Sequence, residues 1–358
     1  MLTFPYAYEY LLTVEELYNN RLQKVEKQLR KAFPSNINFE WVKTISGQKD
    51  PLGKIEQYDA FCEPGRELLN RGGKRWRPVL MLLSCELVGG GESALELTPL
   101  VEFPHNGSLI IDDIEDKSEW RRGEKAVHLI YGEDFAINAG NLLYYLPTTL
   151  IDNSSFLPER KLLLYQYYSE NMRRLHLGQG FDILWHNGSI IPDPAEYEQM
   201  CRFKTGALAR MAAQTGVIAG GGSPETAELL GTVCENMGVG FQIMDDVINL
   251  TEGNPGKGRG DDIVEGKKSL PVIYHLKKYP SDLTKLEKLF QLAEAKGFEK
   301  AGVEIDKAID LISSSGALTE AKNRAHEILD ISAKTISDNF KKSEASDLII
   351  YMLQNFVK

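Results

Sequence analysis

Apolar residues recur at helical spacing along most of this 358-residue chain. Between residues 8 and 32, Leu11, Leu12, Val14, Leu17, Leu22, Val25 and Leu29 are interleaved with charges, which predicts an amphipathic helix or helix pair. Residues 34–51 are polar and mixed and read as a connection. From Ile55 onward the same recurrence predicts helices over Pro78–Leu87, Leu97–Asp116, Phe135–Leu146, Glu159–Trp185, Glu196–Ile218 and Ala227–Leu250, mostly separated by Gly, Pro or Asn clusters. Several are apolar on more than one face, which places them inside a large bundle. After Lys278 the chain is rich in Lys and Glu but still helical in period, with a break at Ser313–Gly316, and reads as peripheral helices or a lid. No run alternates as a strand would, no βαβ rhythm appears, and no short-period repeat is present. The expected fold is all-α, with a helical extension over residues 1–50 and a single domain over residues 51–358.

Composition adds exclusions. A 42% hydrophobic, 26% charged chain is that of a globular protein with a sizeable core. A net charge of −10 provides no basic field for nucleic acid. The four cysteines, Cys62, Cys85, Cys201 and Cys234, form no C-x-x-C pair and read as buried thiols in a reducing compartment. The first residues have no basic stretch leading into an apolar one, and no run reaches the ~18–20 apolar residues of a membrane span. The expectation is a soluble, cytoplasmic protein.

The chemistry concentrates in His105–Gly123, H-N-G-S-L-I-I-D-D-I-E-D-K-S-E-W-R-R-G. Asp112 and Asp116 are four apart, so a helix stacks them on one face about 6 Å apart, with Asp113 beside them. Like charges at that spacing destabilise a bare helix, so a positive species is expected between them. A second acidic pair, Asp245 and Asp246 with Asn249 three residues on, ends another apolar helix. Two helices of this kind could face one cavity and hold metal ions that bridge a polyanion. Oxygen ligands without a nearby His or Cys pattern favour magnesium over zinc. Cations accompany both clusters: the loop Gly72–Gly73–Lys74–Arg75–Trp76–Arg77 opens a helix, Arg121 and Arg122 follow the first acids, and Lys204 and Thr205 interrupt an apolar run. The glycine-rich stretch around Lys257, followed by Lys267 and Lys268, could close over phosphates.

Together, these motifs resemble the trans-isoprenyl diphosphate synthases over roughly Gly72–Pro271. H-N-G-S-L-I-I-D-D-I-E-D, L-H-L-G-Q-G-F-D-I-L-W at Leu175–Trp185 and the pair ending at Asn249 are most similar to eukaryote-type geranylgeranyl diphosphate synthases. The resemblance implies an isoprenoid synthase fold, a large helical bundle around a central apolar cavity. It also implies a magnesium-dependent condensation of isopentenyl diphosphate with dimethylallyl, geranyl or farnesyl diphosphate, carried out by a homodimer. On this resemblance Asp112, Asp113, Asp116, Asp245, Asp246 and Asn249 form the metal set, with asparagine at 249 where the wider family more often has aspartate. Lys74, Arg77, His105 and Arg122 match the isopentenyl diphosphate site, and Arg121 the allylic diphosphate site. Lys204, Thr205, Gln242 and Lys267 match residues around the leaving diphosphate, Lys257 the closing loop, and Gln179 and Asp182 an element near the metals.

Product length should follow from the depth of the shaft. Gly107 and Ser108, one turn before Asp112, are small where farnesyl-producing relatives usually carry aromatics, so this level is expected to be open. Tyr144, Tyr145 and His176 match the floor of the geranylgeranyl subgroup, and Pro104 could kink the helix or mark its start. Geranylgeranyl diphosphate is the expected product. A farnesyl or longer product, a terpene cyclase and a non-catalytic partner subunit are the alternatives. The cations of the isopentenyl site argue against a cyclase, and the intact first cluster, Lys204 and Lys267 against an inert subunit.

Overall fold

The computed structural model describes residues 4–186, 188, 190–253 and 258–355. In chain order its helices are α1 (Phe4–Ala32), α2 (Phe39–Ser46), α3 (Ile55–Asn70), α4 (Trp76–Leu87), α5 (Pro99–Glu115), α6 (Val127–Tyr131), α7 (Glu133–Tyr145), α8 (Thr149–Asp152) and α9 (Pro158–His186). There follow α10 (Pro194–Cys201), α11 (Ala207–Ala219), α12 (Pro224–Thr251), α13 (Asp261–Val264), α14 (Leu270–Lys278), α15 (Leu283–Lys296), α16 (Gly302–Ser314), α17 (Ala317–Asn339) and α18 (Glu344–Asn355). The all-α expectation holds, and no described helix is long and apolar enough to cross a membrane. All four cysteines are buried.

Contacts divide the chain into two compact units: Met1–Ser169 with Met211–Gly231 and Ser343–Leu348, and Glu170–Arg210 with Thr232–Lys342 and Ile349–Lys358. Within the first unit α1 packs on α4 and α5. The connection read at 34–51 contains α2. Its start is fixed by Asn38, whose side chain accepts from Trp41 N, and its end by Gly47 in the left-handed region.

In the first unit, α5 packs against α3, α4 and especially α7. Phe103 and Ile110 of α5 are fully buried, as are Leu80 to Leu83 of α4 apart from a trace at Leu82. Pro104 lies inside α5 without ending it. In the second unit, α14 packs on α10 and α17, and α15 on α16. Between α10 and α11 the backbone widens into a π-helical turn at Arg202–Gly206, a local form frequent at functional sites.

Candidate active site

Within the first unit, α5 presents two different faces. His105, Ser108, Leu109, Asp112 and, at the helix end, Asp116 are half-exposed, and their spacing puts them on one stripe. Glu102, Phe103, Asn106, Gly107, Ile110 and Asp113 are buried. Asp113 therefore turns away from its neighbours. Its Oδ1 accepts from Arg121 Nε at 2.8 Å and from Arg121 Nη2, while Asp112 Oδ2 lies 3.7 Å from the same guanidinium. Burial raises the Asp113 pKa and Arg121 opposes the shift.

Arg121 and Arg122 reach α5 through a hairpin whose strands, Trp120–Arg121 and Glu124–Lys125, have two residues each and so are too short to alternate. Arg122 and Gly123 fill the turn with φ of 54° and 81°, as a two-residue type I′ connection requires. Arg71 ties the hairpin down by donating to the Arg121 and Lys125 carbonyls at 2.8 and 2.9 Å. Arg122 then donates to Asn106 Oδ1 at 3.0 Å and to the Leu68 carbonyl at 3.1 Å. Asn106 in turn donates to Glu102 at 2.9 Å.

The loop before α4 completes a cluster of cations. Arg75, in the left-handed region at φ 49°, is buried and paired with Glu102 at 2.6 Å. Arg77 is buried, stacks 4.3 Å over the Trp76 ring, and places Nη1 3.5 Å from His105 Nε2. Burial, aided by Arg122 and opposed by Glu102, brings Arg77 down to about 10; burial likewise brings Arg122 to about 10. Burial and then Arg77, Arg122, Arg75 and Arg121 hold His105 well below its usual range, so its imidazole is neutral. Lys74 is exposed beside them. Buried cations depressed in this way favour an incoming anion.

The second unit assembles its own set. Lys204 Nζ, on the π-helical turn, pairs with Asp182 at 2.5 Å. Thr205 donates to Gln242 Oε1 at 2.9 Å, and Gln242 Nε2 donates to Asp246 Oδ1 at 3.1 Å. Asp246 is buried, and its Oδ2 accepts from Tyr197 and from Leu270 N at 3.2 Å. Burial and then Asp262 push Asp246 up to about 7. Lys267 lies 2.5 Å from Glu265 and 3.3 Å from Asp262. A close backbone crossing holds Lys204 in place: a Cβ on Gly178 of α9 would stand 2.2 Å from Lys204 N.

The structure places the other expected residues as follows. Asn249 is fully buried; its carbonyl accepts from Gly260 N at 2.8 Å and its Oδ1 from Asp262 N at 3.3 Å, so it ties α12 to the start of α13. Asp113 and Asp246 are committed to Arg121 and to Tyr197, Gln242 and Leu270 N, which leaves Asp112, Asp116 and Asp245 as the half-exposed carboxylates. A Cβ on Gly107 would meet the Gly140 carbonyl at 2.7 Å and Tyr144 at 3.1 Å, so this glycine lets α5 and α7 approach. Ser108, on the stripe of Asp112, is the small residue at that level. Tyr144 is buried and its carbonyl accepts from Tyr168, whereas Tyr145 is 72% exposed; His176 is exposed and belongs to the second unit. Gln179 is half-buried one turn before Asp182. Lys257 lies outside the described residues. Sequence reasoning missed Glu102, Asn106 and Tyr197. The i, i+4 pairing of the first two was legible, but nothing local marks Tyr197.

Within the first unit, Asp112 and Asp116 offer half-exposed hard oxygens of the kind magnesium takes, and buried Asp113 Oδ2 has no hydrogen-bond partner; within the second unit, Asp245 is the half-exposed carboxylate. Among the described residues no three His, Cys, Asp or Glu gather as a protein cage, so magnesium here would draw the rest of its shell from phosphate and water.

Known proteins resemble this chain in sequence and fold. The polyprenyl synthetase family profile matches residues 59–306. The geranylfarnesyl diphosphate synthase of Aeropyrum pernix is 34% identical over 276 residues, 75% of this chain and 84% of that protein. The geranylgeranyl pyrophosphate synthase of Dictyostelium discoideum is 31% identical over 81% of this chain and 89% of its own length. The crystal structure of geranylgeranyl pyrophosphate synthetase from Pyrococcus horikoshii aligns with 96% of this chain and 98% of that one, with a TM-score of 0.82 at 28% identity. A match of this extent, over a chain carrying both acidic motifs, means that the protein belongs to the polyprenyl synthetase family.

Proposed function

We propose that the protein joins isopentenyl diphosphate head-to-tail to an allylic diphosphate and releases geranylgeranyl diphosphate. The observation that carries this reading is the cluster of buried Arg77 and half-buried Arg122 around His105, with Arg77 Nη1 3.5 Å from His105 Nε2. The Glu102 carboxylate that acts on both arginines is already bonded to Arg75 and Asn106. Such a cluster suits the diphosphate of isopentenyl diphosphate, a substrate that a cyclase acting on one diphosphate does not use. Arg121, oriented by Asp113, suits the allylic diphosphate.

In this reading the C–O bond of the allylic diphosphate breaks and leaves a cation on the hydrocarbon. The terminal alkene carbon of isopentenyl diphosphate bonds to it, and loss of a proton restores a double bond. The released diphosphate is the base. Lys204, held by Asp182, and Thr205, ordered by Gln242, stabilise charge on the leaving group. Asp112 and Asp116 in one unit, and Asp245 in the other, are the carboxylates that would hold magnesium, which would supply neutralisation of diphosphate oxygens. Side chains supply no nucleophile. Ser108 leaves its level open to growing chains, and the names of the relatives favour twenty or more carbons over fifteen. A homodimer and a cytoplasmic location belong to the same reading and rest on the resemblance.

The test is purified protein with magnesium, isopentenyl diphosphate and each of the three allylic primers, with products sized by chromatography. Geranylgeranyl diphosphate is expected. No condensation with any primer refutes the activity, and a farnesyl end point refutes the assigned product.

A further inference from the structure

The family profile begins at residue 59, so it does not include α1, and nothing local in the sequence assigns chemistry to that helix. The structure nevertheless connects α1 to the cation loop at two points. Tyr18 donates to the Lys74 carbonyl at 2.7 Å, and Glu26 accepts from Arg75 Nε at 2.8 Å. Lys74 and Arg75 are consecutive, and the two anchors are eight residues apart on α1, about 12 Å along its axis. We propose that α1 is a positioning element of the isopentenyl diphosphate site, with Tyr18 and Glu26 fixing the loop that presents Lys74 and Arg77. This rests on the assignment of that cluster to isopentenyl diphosphate.

The loop requires such support. Arg75 occupies a left-handed conformation that a non-glycine residue adopts at a cost, and it does so at the first turn of α4, two residues before Arg77. A buried guanidinium needs charge partners, and it finds one on α5, Glu102, and one on α1, Glu26. Removing Glu26 leaves the Arg75 guanidinium with Glu102 and the Leu69 carbonyl but no partner on α1. Tyr18 meanwhile fixes the direction of the peptide that follows Lys74. Burial and then Glu102 hold the Tyr18 phenol above its usual range, so it stays a donor.

Elsewhere α1 is fastened without reference to the loop. Arg21 donates to both Glu86 oxygens and pairs with Glu344 at 2.5 Å, Lys24 pairs with Glu92 at 2.6 Å, and Lys31 with Glu96 at 3.2 Å. Val25 is fully buried, and Val14 and Leu29 nearly so. These contacts keep the helix docked when either loop anchor is removed. A single-site change at Tyr18 or Glu26 therefore separates positioning from folding.

The experiment is steady-state kinetics on Tyr18→Phe, Glu26→Gln and the double variant, with Arg77→Met as a reference and Lys24→Gln as an α1 control. Each loop anchor is one hydrogen bond or ion pair, so each single variant should raise KM for isopentenyl diphosphate about 3- to 10-fold. The allylic KM and the melting temperature should stay near wild type, and Lys24→Gln should change neither KM. Glu26→Asp, which keeps the charge, should recover part of the loss. Equal rises in both KM values, or a lower melting temperature with unchanged KM values, overturn the proposal. If Arg77→Met raises KM for isopentenyl diphosphate and the α1 variants do not, the positioning role alone fails. If Arg77→Met leaves that KM unchanged, the site assignment fails and the proposal with it.

Discussion

Gly178→Ala tests whether the close crossing of α9 and the π-helical turn sets the position of Lys204. The added Cβ would stand 2.2 Å from Lys204 N and 2.7 Å from Lys204 Cα and Phe203 C. Ordinary contact begins near 3.4 Å, so the two segments must separate by about 1.2 Å, and no side chain can rotate out of the way because every near atom is backbone. Overpacking of this kind costs about 1–3 kcal/mol. Gly180→Ala, two residues along the same helix, adds its Cβ where nothing lies within 4 Å. Both changes gain the same helix propensity, ~0.5–1 kcal/mol, so the difference between them isolates the contact. At about 2–4 °C per kcal/mol, Gly178→Ala should melt about 2–12 °C below Gly180→Ala. Displacing Lys204 from Asp182 by about an ångström should also lower kcat by up to ~100-fold, with Gly180→Ala near wild type. Circular dichroism melts and radiolabelled isopentenyl diphosphate turnover measure the two effects. Equal melting temperatures and equal kcat would refute the argument.

Asp112→Asn and Asp116→Asn should shift the magnesium activation curve by tenfold or more, whereas Asp113→Asn should shift it less and instead raise the allylic KM by releasing Arg121. Identical magnesium curves for the three variants would count against the separation of roles. Arg77→Met should melt at or above wild type, because the folded-state value near 10 lies below the unfolded one. Burial of that charge therefore costs stability at all pH below about 10, and the cost disappears with the charge. Inorganic pyrophosphate should raise the melting temperature of wild type more than that of this variant; a clear loss of stability with full pyrophosphate response contradicts the reading. Ser108→Phe should shorten the product towards farnesyl diphosphate, while Tyr144→Ala should mainly destabilise the α5–α7 packing. Unchanged product length in Ser108→Phe would remove Ser108 from the shaft.

The helices were legible because burial imposes a period, and α4, α5, α7, α9 and α12 lie within a few residues of the spans that period predicts. Short elements were not: the hairpin at Trp120–Lys125 is too brief to alternate, and α2 is defined by its caps more than by its apolar residues. The π-helical turn at Arg202–Gly206 leaves no mark in the period, since one widened turn inside two continuous helical runs shifts the apolar face only slightly.

By itself the sequence determined the all-α class and the family and marked the candidate carboxylates and cations, because those depend on residue type and spacing along one helix. Which carboxylate of each pair faces outward was decided only by packing. Asp112 and Asp113 are equivalent as text, yet α5 buries one face and leaves the other open, so Asp113 must take Arg121 as its partner while Asp112 stays half-exposed. The same holds for Gly107 and Ser108, of which one is consumed by α7 and the other keeps the open stripe. The contribution of α1 to the cation loop also belongs to the tertiary structure alone. Tyr18 and Glu26 lie 56 and 49 residues from the groups they hold, a separation over which sequence period carries no information.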